Sequence, residues 1–557
     1  MLARDAVTTR SALKQAASQA EALQGEIVAG DGAGAAKTLA ALRESADTAR
    51  ASTDGILWDL GSHLPLLGSN ISSAQTVAEV LDTVSDEALP PIVDVSSRLS
   101  LEAFSPRGGR FDLERVEAVA PAVATADAVL TQARADLDGI DAGSLLLPLK
   151  TPVRRIQSKV DSAQSVARAG ATAARLMPAM MGRDGTRRYL LLIQNNAEAR
   201  ATGGIAGSYA VITAKRGKLT MGRQGSSVDF APIDDPVVPM SRDEQTVFTD
   251  QLVTDVRDAN VTPDFPRSGE IARAMAKEAL GVDVDGVLSV DPVAMSHLLA
   301  GTGPVDLGQD VVLDQGNAVE SLLSTIYLRL DPALQDGFFE ITARAIFDAV
   351  TSGAGQSLPV IAGLVRAAEE NRLMLWSART GEQEQIAATG LAGAFAGDTG
   401  GTPHVGVYVG DSAGGKMQYY LDATTVARAT RCLDEDTQEI VISTQLTSSA
   451  PRGLPASVTG LDEELPDGEM RFFAWLYAPY GGRFTSITLD GKPQIITTAR
   501  LDGRSETSVP VSLPPGATRT LTARMLTGPG QGADGVISTT PGVRTAANDR
   551  PIASACE

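Results

Sequence analysis

The spacing of apolar residues changes period between residues 182 and 189, and that change makes the chain a composite rather than one repeating fold. Before it, apolar residues recur every three or four positions, as at Leu13, Ala16, Ala20 and Leu23, which is the stripe of an amphipathic helix. Breaks at Asp31–Gly34, Asp54-Gly55, Pro65 to Gly68 and Ser105 to Gly109 divide this part. Helices are predicted over Ala35–Ser52, Ser73–Leu89, Pro91–Leu101 and Asp112–Asp138, with a bend at Pro148 and Pro152 before a helix through Arg175. Long helices with short connections predict a bundle or stalk over 1–182, its stripes serving as packing faces.

After the change, Tyr189–Ile193 is a continuous apolar run of strand length, followed at once by polar residues. Tyr209–Thr213 and Lys218–Met221 read as a hairpin turning at Arg216-Gly217. Helices are predicted at Ser268–Leu280, Pro292–Leu299, Asn317–Leu328, Phe338–Thr351 and Leu358–Asn371, with a strand at Gly286–Val290. Strands interleaved with helices predict an α/β domain over 186–395. From 404 to 557 the pattern is strands alone: Val405–Val409, Met417–Leu421, Glu439–Leu446, Met470–Ala478, Phe484–Asp490, Gln494–Thr498, Thr507–Val511 and Thr518–Met525. Their spacing predicts an immunoglobulin-like β-sandwich. The fold class expected is therefore multidomain α+β.

With 557 residues, 43% of them hydrophobic, such domains can bury substantial cores. Lys and Arg number 48 against 68 Asp and Glu, a net charge of −20. That field repels phosphate backbones, so nucleic-acid binding is not expected. Three histidines and two cysteines exclude a Cys/His zinc module or an iron–sulfur protein, leaving carboxylate-held magnesium or calcium open. No run approaches the ~20 apolar residues of a membrane helix. The opening residues carry no signal-peptide core, yet the chain starts inside a helical pattern, which suggests a membrane anchor ahead of it. Cys432 and Cys556 bracket most of the last quarter. They are either two free thiols or a disulfide that staples the strand-rich segment, and a disulfide would place the protein outside the cytoplasm.

The most informative segment runs from Gln194 through Asn195, Asn196, Glu198, Arg200, Thr202, Gly203 and Gly204 to Gly207 and Ser208. It is expected to be a polar, glycine-rich loop after a buried strand. Backbone amides there could cradle an anion and Arg200 could clamp a phosphate or carboxylate; equally, the glycines could serve tight turns and close packing. Neither a Walker A motif nor a dinucleotide-binding fingerprint is present. Asp258, Asn260 and Asp264 offer oxygen ligands at short spacing for a hard divalent cation, or alternatively caps and turns. Asp283 and Asp285 are expected on one solvent-facing side of a strand entrance. His63, His297 and His404 fall in three different regions and no GxSxG is present, so nucleophilic catalysis finds little support; His297 reads as a packed core histidine.

These residues resemble a family. YLLLIQNNAEARATGG, DANVTPDFP and VDGVLSVDP followed by TGPV, with VGVYVGDSAGGKMQYYLD and TTPGV further on, are similar to domain-of-unknown-function family 4012 over roughly residues 187–545. The resemblance, to members of actinobacterial type, implies a single-pass envelope protein in exopolysaccharide or cell-wall glycopolymer assembly, with a membrane helix that this chain lacks. A fainter likeness of the core to the LytR–CpsA–Psr phosphotransferases implies transfer of glycopolymers from a polyprenyl-pyrophosphate carrier. Arg200 then falls near that family's first-strand loop and Arg329 in its later arginine segment. Its magnesium-binding Ser-Asp-Thr is replaced by Ala201-Thr202-Gly203-Gly204, and Phe338-Phe339-Glu340 stands where its Arg-Gln pair is expected.

Three functions follow as expectations. The first is an extracytoplasmic accessory or binding factor whose segment Asn195, Asn196, Glu198, Arg200, Thr202, Gly203 and Gly204 holds a sugar or phosphate group of a lipid-linked glycan or polysaccharide. The second is a phosphotransferase in which Arg200 and Arg329 hold pyrophosphate and Asp229, Asp258, Asn260 or Asp264 holds magnesium. The third is a scaffold for other envelope proteins.

Overall fold

The computed structural model describes residues 2–29, 31–64, 68–98, 105–140, 145–230, 233–353, 355–395, 397–434, 436–460, 465–544 and 550–556. The expected helix end at Leu99–Leu101 and the break at Pro65 lie outside these residues. Contacts divide the chain into two compact units, one of residues 1–106 and 110–185, the other of 107–109 and 186–557.

The first unit is helical: α1 (Leu2–Ala29), α2 (Gly32–Thr53), α3 (Ile56–Ser62), α4 (Gly68–Thr83), α5 (Leu89–Arg98), α6 (Leu113–Asp138) and α7 (Leu147–Met180). Asp31 and Asp112 start α2 and α6 by accepting from Gly34 N and Arg115 N, satisfying amides that have no partner inside the helix. Of the stripe read from the sequence, Ala16 and Leu23 are buried in one cluster with Leu39 and Leu42, while Ala20 is exposed. Leu130, Leu137, Val153 and Val160 lie in a second. Pro148 and Pro152, expected to mark a bend ahead of the helix, both lie within α7, which runs for 34 residues. Pro148, in the first turn, has no hydrogen bond to lose there and fits the helical φ, whereas Pro152 lies inside the helix. Among the described residues no helix is long and apolar enough to cross a membrane.

The second unit begins with β1 (Arg187–Arg200), β2 (Gly203–Lys215) and β3 (Lys218–Ser226), followed by α8 (Arg242–Val247), α9 (Gln251–Thr254), α10 (Phe265–Leu280), β4 (Gly286–Val290) and α11 (Pro292–Thr302). Then come β5 (Val305–Asp306), β6 (Val312–Leu313), α12 (Ala318–Glu320), α13 (Ile326–Arg329), α14 (Pro332–Ser352), α15 (Ser357–Glu369), β7 (Leu373–Ser377) and α16 (Thr380–Ala387). One sheet has the order β3-β2-β1-β4-β7, with β1 and β4 parallel and the other pairs antiparallel. Leu190 and Leu192 of β1 pack with Ile271 and Met275 of α10. Leu191 and Ile193 pack on the other face with α11 and α14. Burial on both faces explains why Tyr189–Ile193 is continuously apolar rather than alternating. The expected turn holds, with Arg216 and Gly217 both at positive φ and Lys215 opposite Lys218.

The strands that follow are β8 (His404–Asp411), β9 (Leu421–Asp434), β10 (Thr437–Ser448), β11 (Met470–Tyr480), β12 (Arg483–Leu489), β13 (Lys492–Pro493), β14 (Ala499–Leu501), β15 (Arg504–Leu513), β16 (Thr518–Leu526), β17 (Gly535–Thr539) and β18 (Arg550–Ile552). They form two sheets, β13-β12-β16-β10-β9 and β14-β15-β11-β8-β17-β18. Between them lies one core, containing Val405, Val407, Ile440, Ile442, Phe472, Leu476, Val511 and Met525. Ala199 of β1 and Ile326 and Tyr327 of α13 belong to that same core, so the α/β part and the strand-rich part share packing. Met417–Tyr420 is a 3-10 turn instead of the expected strand. Asp411 Oδ2 accepts from Gly414 N and Gly415 N, and such side-chain bonds favour a turn over a ladder. The strand expected at Gln494–Thr498 is irregular backbone, and β9, β13, β14, β17 and β18 are strands that the sequence pattern does not reveal. Cys432 and Cys556 form a disulfide, Cα atoms 4.8 Å apart, across a sequence separation of 124.

Candidate functional site

The glycine-rich segment is not a loop. β1 continues to Arg200 and returns through Ala201-Thr202 to pair Arg200 with Gly203. The ladder jumps from Asn195↔Ile205 to Ala199↔Gly204, so Asn196, Ala197 and Glu198 bulge out. A second irregularity leaves Gly207 unpaired between Ala206 and Ser208. Bulges re-aim side chains while the strand continues, and here they send neighbouring residues into different surroundings.

Two of the glycines serve close approach. A Cβ on Gly203, whose φ is +136°, would lie 2.3 Å from Gln194 Oε1, and one on Gly204 would lie 2.0 Å from Asn195 O. Gly207 differs, since a Cβ there meets nothing within 4 Å. Thr202 Oγ1 accepts from Gln194 Nε2 at 3.2 Å and from Asn260 Nδ2 at 3.1 Å, and Asn260 Nδ2 also donates to Gly204 O at 2.8 Å.

Asn196 is buried and its Nδ2 donates to Asp291 Oδ2 and to Pro541 O, both at 2.8 Å. Arg372 donates to Asp291 Oδ2 at 2.8 Å, to Glu370 Oε2 at 2.7 Å and to Gly542 O at 2.7 Å. His297 Nε2 lies 3.1 Å from Glu370 Oε2. Burial would raise the Glu370 carboxyl, but hydrogen bonds from His297, Arg366 and Arg372 outweigh it and hold the pKa at about 2. This network fastens the TTPGV segment near the C-terminus to the β1 bulge.

Asn195 and Glu198 face elsewhere, into a cavity of about 250 Å³. Asn195 Nδ2 donates to Tyr327 Oη at 2.8 Å and to Glu198 Oε1 at 3.2 Å. Glu198 pairs with Lys416 at 3.0 Å, and Lys416 Nζ stands 4.9 Å from the centre of the Tyr327 ring. Burial pushes the Tyr327 hydroxyl well above its usual range, so it keeps its proton. The Phe339 ring lies 6.2 Å from that of Tyr327, and both line the space with Gly207, Arg257, Asp336 and Thr342. Arg257 is bound by Asp255, which raises its pKa. Burial of Asp255 would raise the carboxyl, but hydrogen bonds from the Arg257 side chain and backbone outweigh it and lower the pKa.

The remaining expected residues do not join this cavity. Arg200 Nε donates to Asp258 Oδ1 at 2.9 Å. Arg329 is exposed at the end of α13. Asp264 caps α10 through Arg267 N at 3.2 Å and accepts from Phe395 N at 2.9 Å, while Asp229 accepts from Tyr209 at 2.9 Å. Asp229, Asp258, Asn260 and Asp264 do not fit a common magnesium shell. Among the described residues no three His, Cys, Asp or Glu side chains come together as a metal site. Asp285, expected in solvent, pairs with Arg187 at 3.0 Å; Asp283 is the exposed one, beside Arg273 at 3.0 Å.

Sequence reasoning misses Lys416, Asp336, Phe339 and Thr342 as site residues. The one local signal is Lys416, a lone cation closing the GDSAGGK stretch after β8; tertiary packing alone brings it to Glu198.

Residues 184–327 match the model of a family described as a protein of unknown function, DUF4012. No curated protein matches the chain, and no solved structure matches it. The match begins just ahead of β1 and ends on Tyr327, so the DUF4012 likeness holds over the sheet's first strands, the bulge and one wall of the cavity.

Proposed function

We propose that this is an extracytoplasmic cell-envelope protein that binds a glycan in the cavity beside Asn195 and Glu198, as an accessory factor in exopolysaccharide or cell-wall glycopolymer assembly. The cavity carries the reading: two aromatic rings, Tyr327 and Phe339, stand beside amide, hydroxyl and charged side chains. Saccharides present apolar CH faces and rims of hydroxyls, which suit such a mixture of ring and polar walls. The Cys432–Cys556 disulfide supports an oxidising compartment. Attachment to the membrane through a helix outside this sequence, and contact with other envelope proteins, rest on the family likeness alone.

A phosphotransferase on polyprenyl-pyrophosphate-linked glycans draws less support, because Arg200 is engaged by Asp258 and Arg329 lies outside the cavity lining. A pure scaffold gives the cavity no use. The test is binding of the full chain to purified soluble envelope polysaccharides, wild type against Phe339→Ala. Retention of at least one polysaccharide is expected, with roughly tenfold weaker binding in the variant as ~1.4 kcal/mol of ring contact is lost. Failure of every polysaccharide to bind would sink the reading.

A further inference from the structure

We infer that the cavity selects an uncharged sugar and rejects phosphorylated or uronic-acid saccharides, an inference that rests on the glycan reading above. The argument is one of charge. Both cations lining the space already have carboxylate partners: Lys416 has Glu198 at 3.0 Å, and Arg257 has Asp255, with Nε 2.9 Å from Oδ1. Asp336 adds an exposed carboxylate to the lining, for which no ion pair is found among the described residues. The lining thus holds two carboxylates, Glu198 and Asp336, against two cations, and Asp255 behind Arg257 makes three carboxylates to two cations around the space, within a chain of net charge −20. An entering phosphate would meet repulsion from Glu198 and Asp336 and would have to displace an existing partner to gain a counter-ion.

The hydrogen-bonding groups that remain are neutral. Thr342 is 1% exposed and lines the cavity, and its hydroxyl has no hydrogen-bond partner. A buried hydroxyl without a partner is costly, and a ligand hydroxyl satisfies it without bringing charge. Tyr327 Oη accepts from Asn195 and retains a proton to donate. Gly207 adds room, since a Cβ there has no neighbour within 4 Å.

The experiment is titration calorimetry of the full chain with three matched oligosaccharide sets: neutral hexose and N-acetylhexosamine oligomers, uronate oligomers, and phosphorylated oligomers. The variants are Gly207→Leu, whose Cβ would meet nothing within 4 Å, and Asp336→Asn at the exposed rim, each with its melting temperature checked against wild type. At least one neutral oligomer is expected to bind, charged analogues at least tenfold more weakly, and Gly207→Leu at least tenfold more weakly with melting unchanged. Asp336→Asn should narrow the gap between neutral and charged ligands. Tighter binding of a phosphorylated or uronate oligomer, abolished by Gly207→Leu, would overturn neutral selectivity and leave glycan binding standing. No binding in any set would overturn the glycan reading itself.

Discussion

Asn195, the last paired residue before the β1 bulge, and Asn196, the first residue within it, are adjacent and equal in side-chain chemistry, yet they belong to opposite kinds of polar cluster. Asn196 enters a dry network in which the Arg372 and Asp291 side chains are 1% and 2% exposed, and backbone carbonyls of Pro541 and Gly542 also accept from the arginine. Asn195 enters a half-open cavity where Glu198 and Lys416 keep 17% and 20% exposure and a buried hydroxyl lies unmatched. The difference separates a polar cluster that fixes a fold from one that can take a ligand. In the first, each charge is matched by protein, and Asn196 Oδ1, although it has no hydrogen-bond partner, is sealed in a residue only 1% exposed. In the second, the ion pair is screened, and the wall offers hydrogen bonds that the protein does not use.

If that contrast holds, the two clusters must fail differently. Arg372→Ala strands buried Asp291 and part of Glu370, and should cost about 3–5 kcal/mol, read as a lower urea midpoint in equilibrium unfolding. Removing the disulfide with Cys432→Ser and Cys556→Ser should cost roughly 2–5 kcal/mol, since it frees a long loop in the unfolded chain. Melting with and without reductant checks this, and the reduced wild type should match the double variant.

Two glutamates sharpen the contrast through pH. Glu506 is 6% exposed and burial alone raises its pKa to about 7 from 4.5. Its folded form therefore holds a proton that the unfolded chain releases. The stability it contributes is full below pH 4.5 and is lost as pH rises toward 7, by on the order of 2–3 kcal/mol. Glu370 has the opposite sign: with its pKa held at about 2, its contribution is present above pH 4.5 and lost as pH falls toward 2. Unfolding curves across pH should show Glu506→Gln flattening the upper window and leaving the acid limb unchanged. Lys416→Ala should have the smallest effect on stability, under ~1 kcal/mol for a partly exposed pair, and its measurable consequence should be in ligand binding.

Local periodicity makes the helical unit legible, because a stripe and a capping Asp are both written within a few residues, as at Asp112 before α6. It also reveals the buried strand at Tyr189–Ile193 and the turn at Arg216-Gly217. It fails where the ladder is irregular. Gln194 to Gly204 is polar and glycine-rich in the manner of a loop, yet it is paired strand interrupted by a bulge. The site is half legible for the same reason. Asn195 and Glu198 stand out in the sequence, but Lys416, Phe339 and Thr342 reach them only through packing between α13, α14 and the turn after β8. Arg200, the residue that charge alone would favour, is already claimed by Asp258. No spacing rule reveals such a pairing between residues on separate elements.

The most direct test of the contrast is hydrogen–deuterium exchange of the full chain with and without a saturating mixture of neutral oligosaccharides. The account predicts slowed exchange in peptides covering Asn195–Glu198, Tyr327–Ala343 and Lys416, with peptides over Arg372 and Thr540–Gly542 unchanged because they are protected in both states. Protection over Arg372 and Thr540–Gly542 without any over Asn195–Glu198 would contradict it, as would no change anywhere.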